Sequence, residues 1–348
     1  MTKRERVKRA IAHREADKVP KGELHIEPLL IQKMMPGDYS LDYQDFHRDL
    51  AIRELLGIDL INLGDWPAQE IGRDRQGNII YRSVYGEEYV HNGKSKHVLK
   101  PGLEDIENVA AYPVPDIGKV SGELIRRFAT ETDLFVFAQI GGPVSMINEM
   151  LGMEDFLVYS MTHTAEICRL AEKIMTYEIA KAKLFIDNGA AALIIADDIA
   201  YNSGAFLPPR IMAETTYPFY RQAIQEIKRH QNVPVFMHTD GDIRQMLADI
   251  AACGFDGLHS LQPSAGMDIA QVKREYGDRL CLMGNIDLDY IMTFATPREV
   301  SDTVKRTIDA AADGGGYILS TCNTLIDAIP VDNALAMYET AEAHGVYR

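Results

Sequence analysis

Cysteine is scarce in this chain. Its four cysteines, Cys168, Cys253, Cys281 and Cys322, are widely spaced and form no CxxC pair. That usage argues against a disulfide framework and fits a reducing cytoplasm. No apolar run approaches the length of a transmembrane helix, and the basic start "MTKRERVKRAIAHRE" leads into no apolar stretch of the kind a secretory signal carries. Positive charge is in deficit: 36 Lys and Arg face 51 Asp and Glu, a formal net charge of −15. Such a balance disfavours nonspecific binding to nucleic acid or to an anionic membrane. There is no P-loop, since "DGGGYI" has no GK[ST] after it, and no GxSxG nucleophile elbow. Low-complexity segments, short repeats and an interdomain linker are missing too, so one domain over 1–348 is expected. A core of that size needs neither disulfide nor structural metal. A cytoplasmic protein, free of nucleic acid and membrane, is the expectation.

What the chain does have is one theme repeated. Short apolar runs end in polar or glycine-rich stops and are followed by amphipathic helical patterns. The runs are 22–27, 58–63, 134–140, 192–197, 233–238, 255–259, 280–284 and 316–321. Helix signals are clear at both ends. Thr2 and Glu5 make a capping box before Val7, Ala10 and Ile11. Thr296, Pro297 and Glu299 do the same before a stripe of Val300, Val304 and Ile308, which Gly314-Gly315-Gly316 ends. Strands alternating with helices imply a parallel sheet, and eight of them an α/β fold of the (β/α)8 TIM-barrel type. The alternating stretch 78–99 around Asn92-Gly93 predicts a β-hairpin inserted between barrel units.

In such barrels the active site lies at the C-terminal ends of the strands, and here those ends are polar. Glu23, His25 and Glu27 share one face of the first run, because residues two apart in a strand point the same way. Gln139 ends the third run, and Asp197 and Asp198 the fourth. His238 and Asp240 end the fifth in "PVFMHTDGD", His259 the sixth, Asn285 and Asp287 the seventh, and Cys322 the eighth. Each has a plain structural reading. A lone strand-end histidine is most often a hydrogen-bonded structural residue, Asp197-Asp198 suits a helix cap, and Cys322 alone would be a small buried apolar side chain. Their clustering favours chemistry: a nitrogen, an oxygen and a sulfur from His238, Asp240 and Cys322 suit Zn²⁺ or another divalent metal. Asp198, Glu23 and His25 are the candidate catalytic groups or further ligands. Glu27, Gln139, Asp197, His259 and Asn285 are candidates for binding substrate.

The blocks "MTKRERVKRAIAHREADKVP", "QIGGPVSMINEMLGMEDFL" at 139–157, "VPVFMHTDGDIRQMLADIAACGFDGLHSLQPSAGMD", "GDRLCLMGNID" and "GGGYILSTCNTLIDAIPVDNALAMYE" resemble the uroporphyrinogen decarboxylase superfamily over nearly the whole chain. The resemblance implies a (β/α)8 barrel and offers two branches. The true decarboxylases carry an arginine-containing "RQAGRYLPEY" segment that holds the porphyrinogen carboxylates. Here that region reads "KVPKGELHIEPLL", with Glu23 and Glu27 where cations are wanted, which disfavours an octa-anionic substrate. The other branch contains zinc methyltransferases that work with a corrinoid protein and show a His-x-Cys…Cys metal pattern. His238 and Cys322 match it; Asp240 replaces the first cysteine.

That replacement makes the implied site harder and more electrophilic than a two-thiolate zinc. An ether oxygen leaving during methyl transfer needs a proton or a Lewis acid. The resemblance therefore points to a methyltransferase moving methyl between a small methylated donor, such as a methyl ether, and a corrinoid protein. A uroporphyrinogen decarboxylase, a methylcorrinoid:thiol methyltransferase and a non-catalytic ligand-binding barrel are the alternatives. "DFHRDL" at 45–50 begins like the Asp-x-His-x-x-Gly signature of cobalamin carriers, but Leu50 stands where glycine is needed. The corrinoid is thus expected on a separate partner protein, docked over the strand ends; the oligomeric state is left open.

Overall fold

The structure is a computed structural model that describes residues 1–91 and 96–347. Strand β1 is Leu60–Leu63, and an antiparallel group follows it: β2 (Ala68–Arg73), β3 (Ile79–Ser83), β4 (Glu88–His91) and β5 (Lys96–Lys100). The chain then returns with β6 (Phe135–Gly141) and β7 (Ala192–Ala196), passes a small hairpin of β8 (Ala200–Tyr201) and β9 (Gly204–Ala205), and adds β10 (Val235–Thr239). It ends with β11 (Gly257–Ser260), β12 (Cys281–Ile286) and β13 (Tyr317–Thr321). Seven of these form one curled parallel sheet in the order β1-β6-β7-β10-β11-β12-β13.

Both faces of this sheet are buried, which is why its strands read as nearly continuous apolar runs. One side chain set, including Leu60, Phe135, Phe137, Ile194, Phe236, Met283 and Ile318, packs in an inner cluster. The intervening residues, such as Val136, Ile195, Met237 and Leu319, join the larger layer beneath the helices. Gly257 must be glycine here, because a Cβ would stand 2.3 Å from the Phe236 ring. The two capping boxes form as read, and Val7, Val300, Val304 and Ile308 are buried.

Two expectations change. The run 22–27 is not a strand but an extended segment with isolated parallel bridges, Lys21 to Leu319 and Ile26 to Leu325. Gly22 N–H donates to Leu319 O at 2.7 Å, and Asp59 N–H donates to Lys21 O at 2.8 Å, so the segment touches both edges of the sheet. Pro20 supplies no donor of its own, which limits regular pairing. The stretch 78–99, predicted as a hairpin, holds three strands, β3 to β5, and with β2 they make a four-stranded antiparallel sheet. β2 was illegible because its side chains are mostly exposed and show no alternation; the Asn92-Gly93 turn lies outside the described residues. Among the described residues no helix is long and apolar enough to cross a membrane.

Candidate functional site

The inner-face parity of each strand continues past its apolar stretch into polar residues, so Asn62, Gln139, His238 and His259 follow the same face as Leu60, Phe137, Phe236 and Gly257. There a cavity of about 730 Å³ opens between the strand ends and the antiparallel sheet. Its lining includes Tyr43, Trp66, Tyr85, Tyr89, Tyr177, Lys181, Gln139, Asp198 and His238.

Asp198, His238 and Asp240 offer ligand atoms that all lie within 4.8 Å of one another. The loop after β10 holds Asp240 firmly. Its carboxylate accepts from Ser260 Oγ at 2.7 Å and from Asn323 Nδ2 at 2.5 Å, while its backbone N–H donates to Asp198 Oδ1 at 3.0 Å. Gly241 gives the turn its shape with φ +90°, and a Cβ there would stand 2.7 Å from the Ala200 backbone. The run of His-Thr-Asp-Gly-Asp after an apolar strand is thus a strand end that must turn sharply while presenting a nitrogen and a carboxylate. Asp198 is exposed, and its backbone N–H donates to Ser145 Oγ at 2.8 Å.

The other candidates are placed differently. His259, read as a substrate contact, is fully buried behind His238: its Nδ1 lies 2.7 Å from His238 Nδ1 and its Nε2 3.2 Å from Thr321 O. It occupies the space between His238 and the end of β13. Cys322, read as a ligand beside His238, is not in the three-residue group. It is 4% exposed, and burial pushes its thiol up to about 12. Asp198 joins His238 and Asp240 in its stead.

Glu23 turns away from the inner-facing Leu24, but the chain bends at Leu24 and Ile26 joins the outer layer, so His25 does not follow Glu23 and instead sits against Tyr43 of the cavity lining. Glu23 accepts from the Thr321 hydroxyl at 2.9 Å and from Tyr338 Oη at 3.1 Å on the helix Val331–His344, and burial raises it to about 7. Glu23 is thus fully buried among these partners and is not among the residues that line the cavity. His25 stacks on Tyr43 at 4.0 Å and is pushed down to about 3, first by burial and then by Arg53 and Arg48. Tyr43 itself lines the cavity, so His25 stands one ring behind that wall. Glu27 accepts from Asp327 N–H at 2.6 Å, tying two loops together.

Asp197 is also buried. It accepts from the N–H groups of Val144 at 3.2 Å and Ser145 at 2.5 Å, at the start of the helix Pro143–Leu151, and from Tyr220 Oη at 2.5 Å. Burial raises it to about 7 against those hydrogen bonds. This is the helix-capping reading, and Asp197 also lines the cavity. Asn285 donates to Leu261 O at 2.8 Å and is likewise structural. Gln139 does line the cavity, accepting from Asn62 Nδ2 at 2.7 Å.

The cavity also contains a group that sequence reading missed. Lys181 and Glu178, on the helix Thr164–Asp187, form a buried ion pair at 2.8 Å, with Lys181 Nζ 3.6 Å from the Trp66 ring centroid. Glu178 also accepts from Tyr85 Oη and, at 2.7 Å, from Gly141 N–H. Burial lowers Lys181, and Glu178 opposes it. The signal was present: Glu178 and Lys181 continue the buried helical stripe of Ile167, Leu170, Ile174 and Tyr177.

A curled parallel α/β sheet whose strand ends gather two carboxylates and an imidazole beside an aromatic-walled cavity has the arrangement of a small-molecule site, with side chains of types that could hold a metal ion. The chain belongs to the uroporphyrinogen decarboxylase (URO-D) family, whose model matches residues 88–344. It is 26% identical over 206 residues to the methylcobamide:CoM methyltransferase MtaA of Methanosarcina barkeri, covering 59% of this chain and 57% of that one. It is 25% identical over 176 residues to a uroporphyrinogen decarboxylase of Coxiella burnetii, covering 50% of this chain and 46% of that one. The chain thus aligns with about half the length of these relatives. In fold it is similar to a methyltransferase from Methanosarcina mazei, with a TM-score of 0.76 at 19% identity and 99% coverage of both chains. Family and relatives mark it as an enzyme.

Proposed function

We propose that this enzyme moves a methyl group between a small methylated donor and a corrinoid carried on a separate protein. The single observation behind the reading is the Asp198, His238 and Asp240 cluster at the mouth cavity, in a family with a methyltransferase among its relatives. We read the parallel sheet, with segment 20–26 bonded to both its edges, as a closed (β/α)8 barrel and the chain as one domain, which makes that mouth the active face.

The residues suit a divalent cation such as zinc. One imidazole and two carboxylates, each held by its own hydrogen bonds, make a set of ordinary ligand types. Such a cation supplies Lewis acidity to the heteroatom that methyl leaves. The chain's own part is positioning. Ser260 and Asn323 aim Asp240, and the Asp240 N–H aims Asp198. Tyr43, Trp66, Tyr85 and Tyr89 offer apolar walls suited to a compact methylated molecule such as a methyl ether, and they exclude water from the reacting carbon. With no thiolate in the cluster, the donor-to-corrinoid direction is favoured over transfer to a thiol.

The test is metal analysis followed by methyl transfer from a donor panel to cob(I)alamin, free and on candidate carrier proteins. Metal-dependent formation of methylcobalamin supports the reading. A metal-free protein inert toward every donor overturns it and favours the non-catalytic barrel.

A further inference from the structure

The geometry points to His259 as a positioning residue that fixes the tautomer of His238, leaving the lone pair of that ring on Nε2 as the atom free to hold a metal. This rests on the metal-site reading above and deepens it.

The order of protons along the chain of contacts follows from what each atom can do. Thr321 O is a carbonyl and can only accept, so His259 Nε2, at 3.2 Å, carries a hydrogen. His259 is fully buried, and its two nitrogens face a carbonyl and a second imidazole, with no carboxylate to offset an imidazolium. A cation there would be uncompensated, so the ring is neutral and its Nδ1 is an acceptor. His238 Nδ1, 2.7 Å away, must then be the donor. A neutral His238 has one hydrogen only, and Nδ1 has taken it. The lone pair is left on Nε2 of a half-buried residue of the cavity lining.

The partner behind a ligating histidine is commonly a carboxylate or a carbonyl. A neutral imidazole in that place orients the ligand without adding negative charge. Two carboxylates already balance a divalent cation, so a third behind His238 would weaken its Lewis acidity. His259 thus preserves an electrophilic site while holding the ring still.

The tautomer is readable without metal. In metal-free, full-length protein labelled with ¹⁵N-histidine, long-range ¹H–¹⁵N correlation reports which His238 nitrogen bears hydrogen, with His238→Asn identifying the signals. The expected result is hydrogen on Nδ1 in wild type. His259→Leu removes the acceptor and should give a mixture of tautomers. His259→Gln should restore the wild-type pattern, because its amide donates to Thr321 O while its oxygen accepts from His238. Zn²⁺ affinity, measured by chelator competition, should fall about 10–100-fold in His259→Leu and only slightly in His259→Gln. Thermal melting checks that both variants are folded. Hydrogen on Nε2 of wild-type His238, or equal Zn²⁺ affinity in wild type and His259→Leu, overturns the inference. Should wild type bind no Zn²⁺ at all, the metal reading falls, and the NMR result still decides the tautomer.

Discussion

The backbone N–H of Asp240 donates to the side chain of Asp198 at 3.0 Å, so the carboxylates following β7 and β10 belong to one hydrogen-bonded unit. Anything that moves one loop moves the other. His238→Ala and Asp240→Ala should therefore each reduce metal per chain to a small fraction of wild type. Cys322→Ser should retain it, since that thiol is outside the cluster. Mass-spectrometric metal content after exhaustive dialysis decides this; equal loss in Cys322→Ser would restore the thiol to the ligand set.

The buried pair of Lys181 and Glu178 predicts an asymmetric stability effect. Lys181→Met leaves a carboxylate with 0% side-chain exposure facing the Trp66 region without its cation. The expected loss is about 3–5 kcal/mol in urea unfolding. Adding Glu178→Gln should recover much of it, because the uncompensated charge is then gone.

Glu23 predicts a pH effect separate from activity. The folded protein keeps its proton up to about 7, against an ordinary value of 4.5. Between those values the native state binds more protons than the unfolded state, so this contribution to stability falls as pH rises through the window. Compared with Glu23→Gln, wild type should lose melting temperature from pH 4.5 to 7 and run parallel to it above. Methyl transfer by the variant at pH 7 should be unchanged. A large activity loss in a stably folded variant would put Glu23 back in the chemistry.

Uroporphyrinogen should not be decarboxylated at an enzymatic rate. The acidic first segment no longer supports this, because Glu23 faces the helices and Glu27 ties loops together. The missing arginine segment still does, as do the carboxylates of Asp65, Glu87, Glu149 and Asp198 around the cavity. Accumulation of coproporphyrinogen at rates of about 1 per second or more would contradict it.

Much of the sheet was legible because two-sided burial writes each strand as an apolar run, and seven of the eight runs are strands. The same burial hides phase. Two-apart spacing suggests that Glu23 and His25 share a face, but the chain bends at Leu24, so Glu23 packs toward Tyr338 while His25 stacks on Tyr43 of the cavity lining. His238 and Asp240 could be seen as a strand end because Gly241 follows them. The Asp198 contribution could not be ranked, since adjacent aspartates at a strand end diverge: Asp197 caps the helix Pro143–Leu151 while Asp198 reaches the cavity. His259 looked like a substrate contact because it too ends a strand, and only the approach of Thr321 O shows it to be one step behind His238.

The four-stranded sheet of β2 to β5 supplies Ser83, Tyr85, Glu87, Tyr89, His91 and Lys96 to the cavity, while Asp198, His238 and Asp240 come from the parallel sheet. On the proposed reading, selectivity and reactivity are therefore carried by separable parts of the chain. A relative's insert exchanged between Leu63 and Phe135 could retune what enters the cavity while the ligand atoms keep their places, making this segment the natural cassette for changing the donor.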